Sequence, residues 1–308
     1  HYPFENHDTF DRHFPADYIC EAIDQTRGWF YSLHAIATLV SDCVAYRNCV
    51  CLNHIVDADG KKMSKSQGNI VDPYDVFDHV GADPLRWYFL ARLAPEAQKR
   101  ISTDIVAEVA SSFVNTVWNT YAFFILYASL DDINLDEDVS HAKRPEIDRW
   151  VLALLYRTIN LVTAALENYD ARGAGSAIET FTDQLSNWYV RRNRRRFWKS
   201  ETGADKQSAY LTLYTCLDVL HRLVAPFMPF LADEMYQNLV RGQQADAPIS
   251  VHLSEWPKAD PNWRDDELLG SFFNELDKTG VLNKTIIVLF SNRGEDLFEN
   301  QRLIHFYA

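Results

Sequence analysis

Residues 109–130 carry no charged side chain over a length that could cross a bilayer. A chain has few ways to accommodate such a stretch. Ser111, Ser112, Asn115, Thr116, Asn119 and Thr120 recur within it at a spacing near four residues. That spacing gathers the polar groups on one helix face and leaves Phe113, Val117 and Phe124 on the rest. The reading is a largely buried bundle helix, not a membrane span. Helical periodicity runs through 104–130, 145–168, 172–199, 206–224 and 229–240, with a charged link at 131–143. Short connections between such helices imply an antiparallel bundle. In Ala225-Pro226-Phe227-Met228-Pro229-Phe230 the two prolines set a sharp helix start, and Phe227 and Phe230 are expected to pack.

The chain before residue 104 has a different period. Residues 15–23 and 46–56 read as strands and 25–41 as the helix between them. Strand, helix, strand implies a crossover and a parallel sheet. Ligands of such sheets gather at the carboxyl ends of the strands. Asp57-Ala58-Asp59-Gly60 is a turn; its glycine falls too early for a calcium loop and no closing Glu follows. Asp72-Pro73 and Asp83-Pro84 each offer a capping carboxylate and a first-turn proline, so each should open a helix. The fold class is therefore α/β followed by all-α: a partial Rossmann-type parallel sheet, an antiparallel helix bundle, then a short αβ tail.

At 308 residues the chain can hold two domains with real cores. A net charge of -13 argues against general affinity for nucleic acid or membrane surfaces, so any RNA contact must come from a local basic patch. The five cysteines, Cys20, Cys43, Cys49, Cys51 and Cys216, form no CxxC pair and no zinc-spaced cluster with histidine. Cys49 and Cys51 alternate on one strand face and read as packed thiols. The pattern fits a reducing cytoplasm, and no metal site is expected. No histidine has a nucleophile partner at a recognisable spacing; His54 belongs to the second strand and His221 reads as structural.

Three stretches could carry chemistry. Lys62-Met63-Ser64-Lys65-Ser66 puts two lysines and two serines on a Gly-bounded loop, suited to neutralising charge on a departing phosphate. A solvated basic turn is the plain alternative, and Lys61 reads as a solvated neighbour. Asp24 and Gln25 follow the first strand, where ribose hydroxyls would lie, although Asp24 could equally cap the next helix. Arg191-Arg192-Asn193-Arg194-Arg195-Arg196 places five arginines in six residues beside Trp188 and Tyr189. Such a surface suits RNA backbone and unstacked bases. Some of these arginines are expected to pair with carboxylates such as Asp183 and tie the bundle to the sheet.

Glu21-Ala22-Ile23-Asp24-Gln25-Thr26-Arg27-Gly28-Trp29-Phe30, the lysine loop and Gly81-Ala82-Asp83-Pro84-Leu85-Arg86-Trp87 stand in an order that resembles the second half of the catalytic domain of class I aminoacyl-tRNA synthetases, in the isoleucyl form. The resemblance covers about 1–262. It implies a nucleotide-binding part at 1–103 and a helical anticodon-binding part at 104–262. It implies ATP, as its Mg2+ complex, with isoleucine and tRNA(Ile) as partners, in a cytoplasmic monomer without membrane association. Lys65 becomes the principal ATP-contacting lysine and Lys62 the second. Glu21, Asp24, Gln25, Met63, Ser64 and Ser66 become adenylate contacts. Trp29 walls the isoleucine pocket, with Phe30 in the core, and Trp188, Arg191, Arg192 and Arg195 meet tRNA. A missing methylene is worth only about 1–3 kcal/mol in such a pocket, which is why these enzymes edit.

The chain departs from that pattern in several places. It opens at His1 without an initiator Met, lacks the His-Ile-Gly-His type motif and has no editing insert. An excerpt without half of the ATP site, inactive alone, is the expectation. Asn53 stands where the pattern has Gly, which a positive φ would explain, and 94–99 is atypical. The tail, 263–308, reads as a helix from Glu267 and a buried strand at 285–290. It resembles a fragment of the sulfatase and alkaline-phosphatase superfamily, with Asn292 and Arg293 in place of the metal-binding Asp and His. Hydrolase chemistry is therefore not expected. A non-catalytic tRNA-binding module is the other functional reading. Valyl or leucyl specificity is the neighbouring one, and the Asp-Gln-Thr-Arg-Gly-Trp-Phe and Asn-Trp-Tyr-Val-Arg-Arg runs favour isoleucine.

Overall fold

In a computed structural model the chain opens with helix α1, His7–His13, and strand β1, Ala16–Ala22. Helix α2, Trp29–Ser41, leads to β2, Tyr46–Leu52, which pairs in parallel with β1 from Ala16 opposite Tyr46 to Ala22 opposite Leu52. The structure describes residues 4–64, 66, 68–131, 133, 139–198, 203–244 and 246–270. Lys65 and the proposed strand at 285–290, with Asn292 and Arg293, lie outside the described residues.

The second strand does not run unbroken to residue 56. The Asn53 N–H donates to the Pro95 carbonyl (3.1 Å), its side-chain amide donates to the Glu96 carbonyl (2.9 Å), and its Oδ1 accepts from the His54 N–H (2.7 Å). These bonds draw the chain out of the first sheet. Strand β3, Ile55–Val56, then pairs in parallel with β4, Lys99–Arg100, after helices α3, Pro73–His79, and α4, Ala82–Trp87. Asn53 is not among the positive-φ residues, which outside glycine are Asn6, Asp42 and Tyr169 among the described residues. Its side chain, not a left-handed backbone, explains its place. The atypical stretch 94–99 wraps this corner, and the buried Lys99 ammonium donates to the Ala94 and Pro95 carbonyls (3.3 and 3.1 Å). Burial lowers the Lys99 pKa. All five cysteines are free thiols, and Cys49 is exposed on its strand rather than packed.

The bundle follows the helical periods closely. Helix α5, Thr103–Val109, passes through a π turn into α6, Asn115–Asp131. Val117, Thr120, Tyr121 and Phe124 are buried, and the Thr120 hydroxyl donates back to the Thr116 carbonyl (2.8 Å), so the polar stripe satisfies part of itself. Helix α7, Glu146–Glu167, is the one helix among the described residues long and apolar enough to cross a membrane. Its Trp150, Val151, Leu155, Ile159 and Val162 are buried in the bundle. Helix α8, Ala171–Asp183, continues through a π segment into α9, Arg191–Trp198. Helices α10, Ala204–Val224, and α11, Pro229–Tyr236, complete the bundle. Phe227 is buried, but Phe230 is 69% exposed and does not pack as expected.

The two Asp-Pro pairs differ. Asp72 caps its own helix by accepting from the Tyr74 N–H (2.9 Å). Asp83 does not, because α4 starts one residue before it. Its buried carboxylate accepts instead from the Leu231 N–H (2.7 Å) and the Phe230 N–H (3.4 Å), the orphan donors of the first turn of α11. Arg86 donates to the Pro226 and Phe227 carbonyls (2.8 and 3.0 Å). Trp87 stacks on Phe113 at 4.1 Å and donates to Glu179 (2.7 Å). At another point Tyr18 of β1 stacks on Tyr169, which ends the α7 turn (4.7 Å). The sheet part and the bundle are thus stapled by side chains on short elements, within the compact unit His1–Arg264. The other unit, Asp265–Ala308, has a described helical turn in which Asp265 accepts from the Leu268 N–H (2.9 Å).

His221 is structural, as its place on a helix suggests. It has no exposed surface, its Nδ1 faces the Leu217 carbonyl (3.0 Å) and its Nε2 has no partner among the described residues. Burial pushes its pKa down to about 4, against the pull of Asp218 and Asp233. The unfolded chain, near pKa 6.5, takes a proton that the folded chain refuses. Stability from this residue is therefore complete above pH 6.5 and falls by about 3 kcal/mol as the pH drops from there to 4. His221→Phe should flatten that part of the urea-midpoint profile. A loss as steep as in the parent would rule the assignment out.

Candidate nucleotide loop and nucleic-acid interface

The lysine loop is built on a turn that its sequence dictates. Gly60 has φ 83°, where L side chains are strained, and its N–H donates to the Asp57 carbonyl (3.0 Å). The Asp57 N–H donates to the Lys61 carbonyl (3.0 Å), and Asp57 Oδ1 accepts from the Lys61 N–H (2.8 Å). Val56 then bridges Lys62 in antiparallel fashion. Asn69, which sequence reasoning passed over, ties the far side. Its amide donates to Asp57 Oδ2 (2.7 Å) and the Lys62 carbonyl (3.2 Å), and its Oδ1 accepts from the Ser64 N–H (2.9 Å). The Asn69 bond, followed by the Lys61 backbone, holds the Asp57 pKa below the usual carboxylate range. The only hint in the sequence was a Gly-Asn pair just after the serines.

These bonds consume backbone groups and leave side chains available. Ser64 and Ser66 set their hydroxyls 3.2 Å apart on the loop. Lys62 is exposed, and Lys61 pairs loosely with Asp59 at 3.9 Å in solvent. Met63, expected as an adenylate contact, is partly buried. It packs against the apolar cluster of Val76, Leu85, Ile101 and Val106, so it anchors the loop.

The turn after β1 also differs in detail. Residues Ile23–Arg27 form a 3-10 turn, and α2 starts only at Trp29. Gln25, not Asp24, caps α2: its Oε1 accepts from the Trp29 N–H (2.9 Å) while its Nε2 donates to Asp24 Oδ2 (2.9 Å). A side chain at Gly28 would come within 2.5 Å of that Oε1, so the glycine of the motif protects the cap. Glu21 and Asp24 are exposed, Trp29 is 48% exposed and Phe30 is buried. The parallel register sets the ends of β1 and β2 side by side, so this turn and the path to the lysine loop leave the sheet at one end.

On the bundle, the five arginines separate. Arg196 turns inward, pairing with Asp148 through two bonds (2.6 and 2.9 Å) and with Asp205 (2.9 Å). Asp183 accepts from Asn187 (2.6 Å), and among the described residues no ion pair joins it to this run. Arg191, Arg192, Arg194 and Arg195 are exposed, and the Arg192 guanidinium lies over the Trp188 ring at 4.4 Å. Among the described residues no group of three or more His, Cys, Asp or Glu could hold a metal ion.

Known protein families match the chain in two stretches. The family model of class I tRNA synthetases (I, L, M and V) matches residues 1–101, and the model of the anticodon-binding domain of tRNA ligases matches 148–292. The second match runs past residue 262, where the sequence suggested the bundle would end. The chain is 57% identical over 248 residues to an isoleucine–tRNA ligase of Deinococcus radiodurans, covering 80% of this chain and 22% of that protein. It is 51% identical over 271 residues to one of Dehalococcoides mccartyi, covering 87% and 27%. The chain thus spans about a quarter of the length of these curated relatives. In fold it is similar to the LeuRS of Agrobacterium radiobacter K84, solved as a ternary complex with tRNA and LeuAMS. The TM-score is 0.63 at 21% identity, over 82% of this chain and 29% of that one. The chain belongs to the class I aminoacyl-tRNA synthetases, in the group that the isoleucyl, leucyl, methionyl and valyl enzymes form.

Proposed function

We propose that the chain supplies the phosphate-handling loop, one wall of the adenylate pocket and the tRNA-binding bundle of an isoleucine–tRNA ligase. The lysine loop, on a turn held by Asp57, Gly60 and Asn69, carries this reading, together with 57% identity to a curated isoleucine–tRNA ligase. In the reaction an isoleucine carboxylate oxygen bonds to the α-phosphorus of ATP, supplied as its Mg2+ complex. The bond from that phosphorus to the bridging oxygen breaks, and pyrophosphate leaves with the electron pair. Lys62 and Lys65 neutralise charge that grows on the leaving group, which lowers the barrier more than it tightens substrate binding. Ser64 and Ser66 donate to phosphate oxygens. Glu21, Asp24 and Gln25 line the adenylate side, and exposed Trp29 offers a flat wall for the amino-acid side chain.

Residues 1–103 serve as the nucleotide part and 104–262 as the tRNA part, where Trp188, Arg191, Arg192 and Arg195 meet tRNA. The LeuRS of similar fold was solved with tRNA, which supports that use of the bundle. The protein acts as a cytoplasmic monomer. The sulfatase-like reading of 263–308 loses ground, since the anticodon-binding match reaches residue 292.

The test is ATP–pyrophosphate exchange with isoleucine, on a protein carrying this chain at the length of its relatives. Neutralising Lys62 and Lys65 together should slow exchange by about 10²–10³-fold. An unchanged rate would sink the reading. Exchange driven better by valine or leucine would move the specificity to those amino acids.

A further inference from the structure

Helix α4 has two working sides. Asp83 and Arg86 hold the corner between α10 and α11 through four hydrogen bonds, and Trp87 reaches Phe113, Phe227 and Glu179. Between them in sequence, Leu85 sits in the apolar cluster that Met63 packs against. The cluster also takes Val76 of α3, Ile101 beside β4 and Val106 of α5. Met63 stands next to Lys62 and Ser64, and beside the backbone bridge from Lys62 to buried Val56 the loop is tied by polar bonds to exposed or half-buried groups.

We propose that Met63 is the positioning residue of the lysine loop, and that α4, clamped by Asp83 and Arg86 to the α10–α11 corner, sets its place from the bundle side. The inference rests on the phosphate-handling reading of the loop for its catalytic consequence. A six-residue helix clamped at one side and bearing a core residue on the other transmits a shift, because close-packed side chains do not deform continuously. Movement of the α10–α11 corner thus reaches Lys62 through Leu85 and Met63, without any contact between the bundle and the lysine. Burial raises the Asp83 pKa, against the pull of its two N–H donors and Arg86, which agrees with a carboxylate enclosed between two elements.

Amide hydrogen exchange of the 308-residue chain, without nucleotide, tests this. The hydrogen-bonded amides of Gly60, Lys61 and Ser64 report the loop, Phe230 and Leu231 report the clamp, and α7 is the control. In Met63→Ala the loop amides should exchange about tenfold faster with Phe230 and Leu231 unchanged, and Met63→Leu should restore the parent rates. In Asp83→Asn/Arg86→Met both sets should speed up while α7 keeps its rates. If that double variant fails to fold, Arg86→Met alone gives the same comparison. Faster Phe230 and Leu231 with loop amides at parent rates would overturn the transmission. Parent loop rates in Met63→Ala would overturn the anchor. Neither result bears on the pyrophosphate-exchange test of Lys62 and Lys65, so the two ideas fail separately.

Discussion

Replacing Asp148 with alanine is expected to cost about 3–5 kcal/mol of folding stability, the range for breaking a buried ion pair by removing one partner. The carboxylate has no exposed surface. It accepts from the Tyr189 hydroxyl (2.8 Å), the Ser208 hydroxyl (2.6 Å) and two guanidinium nitrogens of Arg196 (2.6 and 2.9 Å). Its loss strands a nearly buried guanidinium whose one remaining charged partner among the described residues is Asp205, the Ser208 hydroxyl loses this acceptor, and the Tyr189 hydroxyl falls back on the Ala209 carbonyl at 3.4 Å. At about 2–4 °C per kcal/mol for a chain of this size, the melting temperature should fall by roughly 10 °C. Urea unfolding gives the measurement, and a loss below about 1 kcal/mol would contradict the assignment. The damage should also reach the face proposed above to meet tRNA. Arg196 is the inward anchor of α9, so tRNA affinity should weaken although Asp148 faces away from solvent.

Trp87→Ala should be nearly as costly, about 3–5 kcal/mol, as for other large-to-small changes at fully buried aromatic sites. The indole is completely buried, stacks on Phe113 at 4.1 Å, meets the Phe227 edge at 5.3 Å and donates to Glu179. Trp87→Phe keeps the ring contacts and loses one hydrogen bond. Glu179 retains Arg92 at 2.6 Å, so this variant should cost only about 1–2 kcal/mol. Trp87 lies at the seam of sheet part and bundle, so the alanine variant should also unfold less cooperatively, with near-UV circular dichroism lost at lower urea than helix signal. Coincident transitions and equal costs for the two variants would show that the seam does not depend on this ring.

The elements themselves were largely legible. The helical periods at 145–168 and 206–224 fall within two residues of α7 and α10, and the strand-helix-strand order gave a parallel pair. Partners were not legible. Asp72-Pro73 and Asp83-Pro84 look alike, yet one carboxylate caps the helix beside it and the other caps a helix 147–148 residues further on. Within the arginine run nothing local distinguishes Arg196 from its neighbours, since its partner Asp148 lies 48 residues back. The structural parts of Asn69 and Met63 were not legible for the same reason: one staples a turn begun twelve residues earlier, the other packs against a cluster that distant segments assemble.

By itself the sequence determined the bundle, the parallel strands, the Gly-bounded loop and the chemistry its lysines and serines can offer. Those follow from periodicity and backbone preference, which act over a turn or a strand. Tertiary structure alone decided which carboxylate meets which donor, which arginine leaves solvent, and which loop side chain serves as anchor. Desolvation selects those partners, and it operates only once distant segments have closed around them.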